Sequence, residues 1–226
     1  MNIEHPAKVP IDALRANVSV SFEESRAMPP QVYTSKEFNK TELEQIFKKD
    51  WFCVGRASAL AKPGDYVTCE LAEQPVIVLR DQNNTLRAMS NVCRHRMSTL
   101  LNGSGSAKVI VCPYHAWTYN LDGSLRGAPA MNANKAFCKN QYKLPTIAFE
   151  EWLGWVFINL NPDAKPVSQE LTEVQELIKG YDMANYTQTF FEEHLWDTNW
   201  KILAENFMES YHLPVCHAGT IGGLSK

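Results

Sequence analysis

No charge excess, no long apolar run and no cysteine framework mark this chain, and each absence removes a class of function. Its 22 Lys and Arg stand against 25 Asp and Glu, a net charge of −3. That balance argues against nucleic acid or an anionic membrane surface as partner. No apolar stretch approaches the roughly 18 residues that a membrane span needs. The start, Met1-Asn-Ile-Glu-His-Pro6, lacks the basic-then-apolar pattern of a signal peptide. Six Cys in 226 residues are too few and too scattered for a secreted disulfide scaffold, so Cys53, Cys69, Cys138 and Cys216 are expected as reduced thiols. No internal repeat or low-complexity stretch is visible. A soluble cytoplasmic protein with a real core is expected, of one large domain or one and a half ordinary ones.

What is there begins with two short clusters. Cys93-Arg94-His95 is followed, after a gap of sixteen, by Cys112-Pro113-Tyr114-His115. Two thiolates and two imidazoles make an S2N2 ligand set. Tetrahedral zinc accepts such a set, and so does the Rieske [2Fe–2S] centre, with one iron between Cys93 and Cys112 and the other between His95 and His115. In that centre two ferric ions, two sulfides, two thiolates and two neutral imidazoles sum to zero charge. An added electron is then easier to accept than on an all-Cys cluster. The spacing within each cluster suits both metals.

The texture of the chain changes three times. Residues 1–44 read as an N-terminal arm and helix, of which residues 1–35 are irregular and proline-bearing. It closes on a short helix opened by a capping box, Thr41-Glu-Leu-Glu44, with Leu43, Ile46 and Phe47 on one face. Residues 45–160 carry β-type runs separated by turns: Trp51–Gly55, Asp65–Leu71, Pro75–Arg80, Thr85–Ser90, Val109–Val111, Ala116–Asn120 and Trp152–Leu160. Asp81-Gln-Asn-Asn84 and Asp122-Gly123 supply hairpin turns. Asn161-Pro-Asp-Ala-Lys-Pro166 marks a boundary, and residues 161–226 turn helical. Leu171, Val174, Leu177 and Ile178 fall on one face, and Trp200, Leu203 and Phe207 on another. Asp197 or Thr198 should cap that last helix, and Pro214 should end it.

His212 and His217 close this helical stretch. Five helical steps would set them about 140° apart, so they converge only if Pro214 breaks the helix between them. An isolated pair at this spacing reads as ordinary polar residues.

The flanking sequence adds a resemblance. Asn91-Val-Cys-Arg-His-Arg96 and Cys112-Pro-Tyr-His-Ala-Trp117 resemble the two loops of Rieske domains, where paired hairpin tips cover the cluster. Asn199-Trp-Lys, Glu205-Asn and Glu209-Ser-Tyr-His212 with His217 resemble the mononuclear-iron motif of the Rieske non-haem iron oxygenases, the α subunits of ring-hydroxylating dioxygenases and related monooxygenases and demethylases. Together these motifs cover roughly residues 35–220. The resemblance implies an α+β fold: an antiparallel β Rieske domain, then the first, helical part of a helix-grip catalytic domain. It implies Cys93, His95, Cys112 and His115 as cluster ligands and His212 and His217 as ligands of mononuclear Fe(II). Glu209 matches the carboxylate linking a cluster histidine of one subunit to an iron-binding histidine of the next, with Glu205 as the fallback. Electrons would come from NAD(P)H through a partner reductase or ferredoxin, O2 and a small organic substrate would be consumed, and a complete subunit would form a homotrimer.

Two departures bear on that picture. A facial triad needs a third, carboxylate ligand, and no residue matches it before the chain stops at Lys226. The sequence thus looks like the N-terminal part of an oxygenase subunit or a truncated form, not expected to turn over alone. Respiratory Rieske proteins carry an extra Cys in each loop, where Ser98 and Tyr114 stand here, which favours the oxygenase branch. Hydroxylation of an aromatic ring, the family's namesake reaction, and of an N- or O-methyl group are both open. The runner-up function is electron transfer without oxygen chemistry, and a zinc-stabilised binding module is the third.

Overall fold

The computed structural model describes residues 8–224. They form two compact units, one of residues 43–189 and one joining the residues up to Glu42 with those from Phe190 onward.

The first unit is built of ten short strands: β1 (Phe52–Arg56), β2 (Asp65–Leu71), β3 (Gln74–Arg80), β4 (Leu86–Ser90), β5 (Ser104–Ser106), β6 (Ile110–Val111), β7 (Thr118–Tyr119), β8 (Leu125–Gly127), β9 (Ala148–Trp152) and β10 (Trp155–Asn159). All pairings are antiparallel, in three sheets ordered β1-β10-β9, β4-β3-β2-β5 and β6-β7-β8. The centre is β3. Its run Val76-Ile-Val-Leu79 is wholly buried, so both faces of the strand are apolar. The period of two splits that run between two cores. Ile77 and Leu79 join Met89, Ile110, Tyr119 and Leu121 beneath the cluster loops, whereas Val76 and Val78 join Leu60, Ala88, Val156 and Ile158 on the other side. Each such side chain contributes roughly 1.5–3 kcal/mol on burial. This double anchorage holds the site-bearing loops on a fixed base.

Two corrections apply to the strands. The run Trp152–Leu160 is not one strand: it begins on the last residue of β9, turns at Leu153 and Gly154, which take positive φ of 49° and 78°, and continues as β10, so that an unexpected strand β9 forms a hairpin with it. Two successive left-handed residues turn antiparallel strands tightly, and a Leu in that place gave no turn signal. The strands β5 and β8 were not expected at all; Ser-Gly-Ser and Leu-Arg-Gly carry almost no β pattern.

Residues 161–189 pack with the sheets rather than with the helices that follow. The Glu150 carboxylate accepts the N–H groups of Val167 and Ser168, capping the short helix Val167–Glu170. Trp152 donates its indole N–H to Gln175 in the helix Thr172–Ile178. Arg56 donates to the carbonyls of Leu153, Met183, Ala184 and Tyr186 and lies 5.0 Å over the Trp155 ring. The predicted apolar face of this stretch is not buried in the unit: Leu177 is 82% exposed.

The second unit is helical, with Lys8–Val18, Gln31–Thr34, Lys36–Glu42, Trp200–Met208 and Leu213–Cys216. The arm is therefore not irregular throughout; its residues 1–7 lie outside the described residues. Thr41 opens no helix. Ser35 does, its hydroxyl oxygen accepting the Phe38 N–H at 3.2 Å, while the Thr41 hydroxyl donates back to the Glu37 carbonyl. Asn199, not Asp197 or Thr198, caps the Trp200 helix, accepting the Lys201 N–H at 3.1 Å. That helix ends at Met208, and Glu209 is extended (φ −125°, ψ 158°). Pro214 then sits in the first turn of the next helix, where its missing N–H costs nothing. Among the described residues no helix is long and apolar enough to cross a membrane.

Candidate metal centres

The two loops bearing the Cys and His residues close in the same way. In the first, the Cys93 N–H donates to the Ser98 carbonyl at 2.9 Å and the Met97 N–H to the Cys93 carbonyl at 3.1 Å. In the second, the Cys112 N–H donates to the Trp117 carbonyl at 2.8 Å and the Ala116 N–H to the Cys112 carbonyl at 3.0 Å. Met97 and Ala116, the equivalent fifth residues, share φ of 56°. A non-glycine residue held there is uncommon. Two equivalent turns therefore present two cysteines and two histidines in matched fashion, although His95 is two residues after its Cys and His115 three.

The base of the first loop is fixed by Asn91, buried at 2% exposure. Its side-chain amide donates to the Leu101 carbonyl and accepts the Leu101 N–H, at 2.7 and 2.9 Å.

Chemically the site has two layers. Cys93 and Cys112 are buried in the core, while His95 and His115 are exposed above them, ring centroids 4.7 Å apart. Trp117, itself buried, stacks on His95 at 4.8 Å and 4°. Its edges meet Phe137 and Tyr142. Tyr119, wholly buried, brings its hydroxyl to 3.3 Å from the Cys93 sulfur and accepts the Arg94 N–H at 3.0 Å.

The electrostatics suit anionic sulfur and neutral imidazole. Burial pushes the Cys112 thiol up, but N–H donation from Tyr114 and His115, with the Cys93 and Ser98 side chains, brings it to a net value below the ordinary thiol range. Burial, then the neighbouring His115 and Arg96, hold His95 below the usual imidazole value. Among the described residues no three His, Cys, Asp or Glu side chains converge on one point. A two-iron cluster asks for two residues per iron, and a thiol pair under an imidazole pair fits that demand.

The second site lies in the helical unit. His212 precedes the turn Leu213–Cys216 and His217 follows it, and their rings meet edge-on with centroids 5.3 Å apart. The broken helix thus brings together two rings that a regular one would separate. Glu209 contacts the His212 Nδ1 with one carboxylate oxygen and accepts the N–H groups of Tyr211 and His212 with the other. The hydrogen bond from His212, then those main-chain donors, hold its carboxyl below the usual range. A proton on Nδ1 facing Glu209 leaves Nε2 as the lone pair for a metal, the carboxylate–histidine arrangement that fixes a ligand's tautomer. Glu205 is engaged elsewhere, both oxygens accepting from the Tyr33 hydroxyl at 2.9 and 3.0 Å. Two imidazoles fit part of an iron's ligand set, and the described residues bring no third.

Sequence reasoning had not singled out Tyr119, Trp117 as a platform, Asn91 as a clamp, or Tyr33. The available signal was a Tyr at an inward strand position, since a buried phenol needs a partner.

Residues 50–147 match the Rieske [2Fe-2S] domain family, and residues 180–225 the ring hydroxylating alpha subunit (catalytic domain) family. The carnitine monooxygenase oxygenase subunit of Acinetobacter pittii (strain PHEA-2) is 39% identical over 199 residues, 84% of this chain and 52% of that protein. The glycine betaine monooxygenase oxygenase subunit of Pseudomonas aeruginosa (strain UCBPP-PA14) is 32% identical, over 95% of this chain and 49% of that protein. A solved quaternary ammonium Rieske monooxygenase, reported with insights into carnitine oxidation by gut microbiota and inter-subunit electron transfer, superposes with a TM-score of 0.75 at 38% identity, covering 84% of this chain and 53% of its own. The chain spans about half the length of the curated relatives it matches. With both family matches in the order its two sites occupy, this chain belongs to the Rieske-type ring-hydroxylating α subunits.

Proposed function

We propose that this chain is the electron-accepting and iron-binding part of an oxygenase component. The observation that carries the reading is the layered site: two matched loops bury Cys93 and Cys112 beneath the exposed pair His95 and His115. Cys93, His95, Cys112 and His115 would hold a [2Fe–2S] cluster, and His212 and His217 a mononuclear Fe(II). When bound, these groups supply one-electron transfer and O2 activation for hydroxylation.

The chain's own residues do the rest. Main-chain N–H groups and the Tyr119 hydroxyl stabilise sulfur as thiolate. Trp117 fixes the plane of His95. Glu209 fixes the tautomer of His212, and its side chain is 44% exposed, free to meet a further group. That group, on this reading, is a cluster histidine of a second copy in a homotrimer, and the electron donor is a reductase or ferredoxin drawing on NAD(P)H. The setting proposed is a reducing cytoplasm, in which Cys93 and Cys112 serve as ligands and the other four cysteines stay as thiols.

For the whole protein we propose a small quaternary ammonium compound as substrate, oxidised at or beside an N-methyl group, because both relatives above are named for such compounds. Of the two reactions the sequence left open, this takes methyl-group hydroxylation over hydroxylation of an aromatic ring. The test is twofold. Anaerobically purified protein should be red-brown, with two irons and two sulfides per chain, and Cys93→Ser should lose both. A colourless zinc protein would overturn the reading. A chimaera completed with the second half of the Acinetobacter subunit and given a reductase should consume O2 in the presence of carnitine or betaine. Cluster reduction without any substrate-dependent O2 uptake would instead favour a plain electron carrier.

A further inference from the structure

The helix Trp200–Met208 leads directly into Glu209, and it is fastened to the helices Gln31–Thr34 and Lys36–Glu42 at three places. The Asn199 side-chain amide donates to the Tyr33 carbonyl at 2.9 Å. The Tyr33 hydroxyl donates to both Glu205 oxygens. Lys201 Nζ donates to the Glu42 carboxylate at 2.8 Å, both side chains nearly fully buried. That ammonium also sits among three rings, 5.9 Å from Tyr33, 5.5 Å from Phe38 and 5.2 Å from Trp200. Aromatic faces attract a desolvated cation, so Lys201 is held from several sides at once.

A buried ion pair adds little net stability over an apolar pair of the same shape, and its best-attested use is to enforce one register. Here the helix can neither slide nor roll by a turn without stranding Lys201 or parting Glu205 from Tyr33. The end of the helix decides where Glu209 begins, and Glu209 holds His212. The aromatic ring of Tyr33 serves the lysine while its hydroxyl serves the glutamate, which makes it the joint of the brace.

We propose that Tyr33, Glu42 and Lys201 are positioning residues that set the register of the Trp200–Met208 helix and thereby the presentation of the His212–His217 pair to a metal. This rests on the iron-site reading above. Neither local spacing nor the motif around His212 points to Tyr33, which is 179 residues away in the chain.

The experiment is Co(II) titration of the chain with its cluster in place, followed by visible absorption, with His217→Ala as the control for binding elsewhere. Tyr33→Phe removes only the hydroxyl and keeps the ring over Lys201. It should weaken Co(II) binding about three- to tenfold, the effect of one hydrogen bond, and alter the Co(II) bands, in addition to the modest fall in melting temperature that the lost bond brings. A paired variant, Glu42→Leu with Lys201→Met, keeps the packing but removes the register-fixing charges, and should weaken binding likewise. A role in folding alone would lower the melting temperature and leave affinity and bands unmoved, and that result overturns the brace. A parent chain with no Co(II) binding beyond the His217→Ala control overturns the iron-site reading and the brace with it.

Discussion

Replacing Tyr119 with Phe removes one oxygen atom from a side chain that is wholly buried. That oxygen accepts the Arg94 N–H at 3.0 Å, which leaves the phenol hydrogen for the Cys93 sulfur at 3.3 Å. Burial, then the sulfur itself, push the phenol well above its ordinary pKa, so the proton stays on oxygen at any working pH. A hydrogen bond to a charged acceptor contributes about 1.5–3 kcal/mol. A reduced cluster carries one more negative charge than an oxidised one, so the sulfur accepts more strongly after reduction. If the two states differ by about 1–1.4 kcal/mol, a tenfold change being 59 mV for one electron, loss of the hydroxyl lowers the potential by roughly 40–60 mV. The four proposed ligands are untouched, so the visible spectrum should survive. The assay is a redox titration followed by electron paramagnetic resonance. A Tyr119→Phe protein that keeps its cluster with a potential within about 10 mV of the parent would refute the argument, because the sulfur would then be indifferent to its donor.

Three further outcomes follow from single contacts. Asp81, 2% exposed, accepts from the Asn83 and Thr85 N–H groups and from Arg87. Burial raises its carboxyl, but those donors outweigh it and the net shift is downward. Its stabilising effect is thus fully present above the unfolded value of about 3.9 and lost as pH falls through the lower folded value. Asp81→Asn should cost roughly 2 kcal/mol in urea denaturation at neutral pH, with the gap to the parent closing in acid; a gap independent of pH would contradict this. Gly154→Ala would place a methyl 2.7 Å from an Arg56 guanidinium nitrogen at φ +78°. Because four carbonyls pin that guanidinium, we expect a loss of about 2 kcal/mol or more in the same assay. Asn91→Ala strips the Leu101 N–H and carbonyl of their partner, costing about 1–3 kcal/mol, and iron content per chain should fall as the first loop loosens.

The strands of the first unit were legible wherever one face or both meet a core. Val76-Ile-Val-Leu79 and Asp65–Leu71 could be read because burial demands the very residues that favour the pleat. What escaped was set by backbone conformation rather than by side-chain pattern. Leu153 in a left-handed turn has no sequence marker, and β5 and β8 are held by their neighbours. The helix face of Trp200, Leu203 and Phe207 was readable as a period, but Phe207 is 79% exposed in its unit. Periodicity announces an apolar face, not what covers it. The stop at Met208 was missed because the later Pro214 looked like the breaker, although proline suits a first turn equally well. At the candidate site, residue type and spacing grouped Cys93 with Cys112 and His95 with His115, whereas His212 and His217 were paired only through the family resemblance; each group is together in space. Their supports were not legible, since Tyr119 lies 26 residues from Cys93 and Tyr33 lies 172 from Glu205.

The two sites share one design in which groups that carry charge inward are separated from groups that face out. At the first, thiols sit among Ile110, Trp117 and Tyr119, and imidazoles stand in solvent. At the second, Glu205 and Lys201 are tied down within the helical unit while Glu209, next in line, is left 44% exposed against His212. Burying a carboxylate or thiolate is tolerable only with donors in place, and each inward group has them. The outward groups also face solvent: Glu209, although it accepts from the Tyr211 and His212 N–H groups and meets the His212 ring, keeps nearly half of its side chain open to contact. An exposed imidazole with its ring plane fixed by Trp117, and an exposed carboxylate fixed by two main-chain N–H groups, are both oriented before any partner arrives. Orientation in advance lowers the entropy lost on contact. Side chains meant only to be solvated have no need of it. The orientation of His95 and Glu209 in advance of any contact is therefore what supports the proposed transfer of electrons across a protein–protein contact.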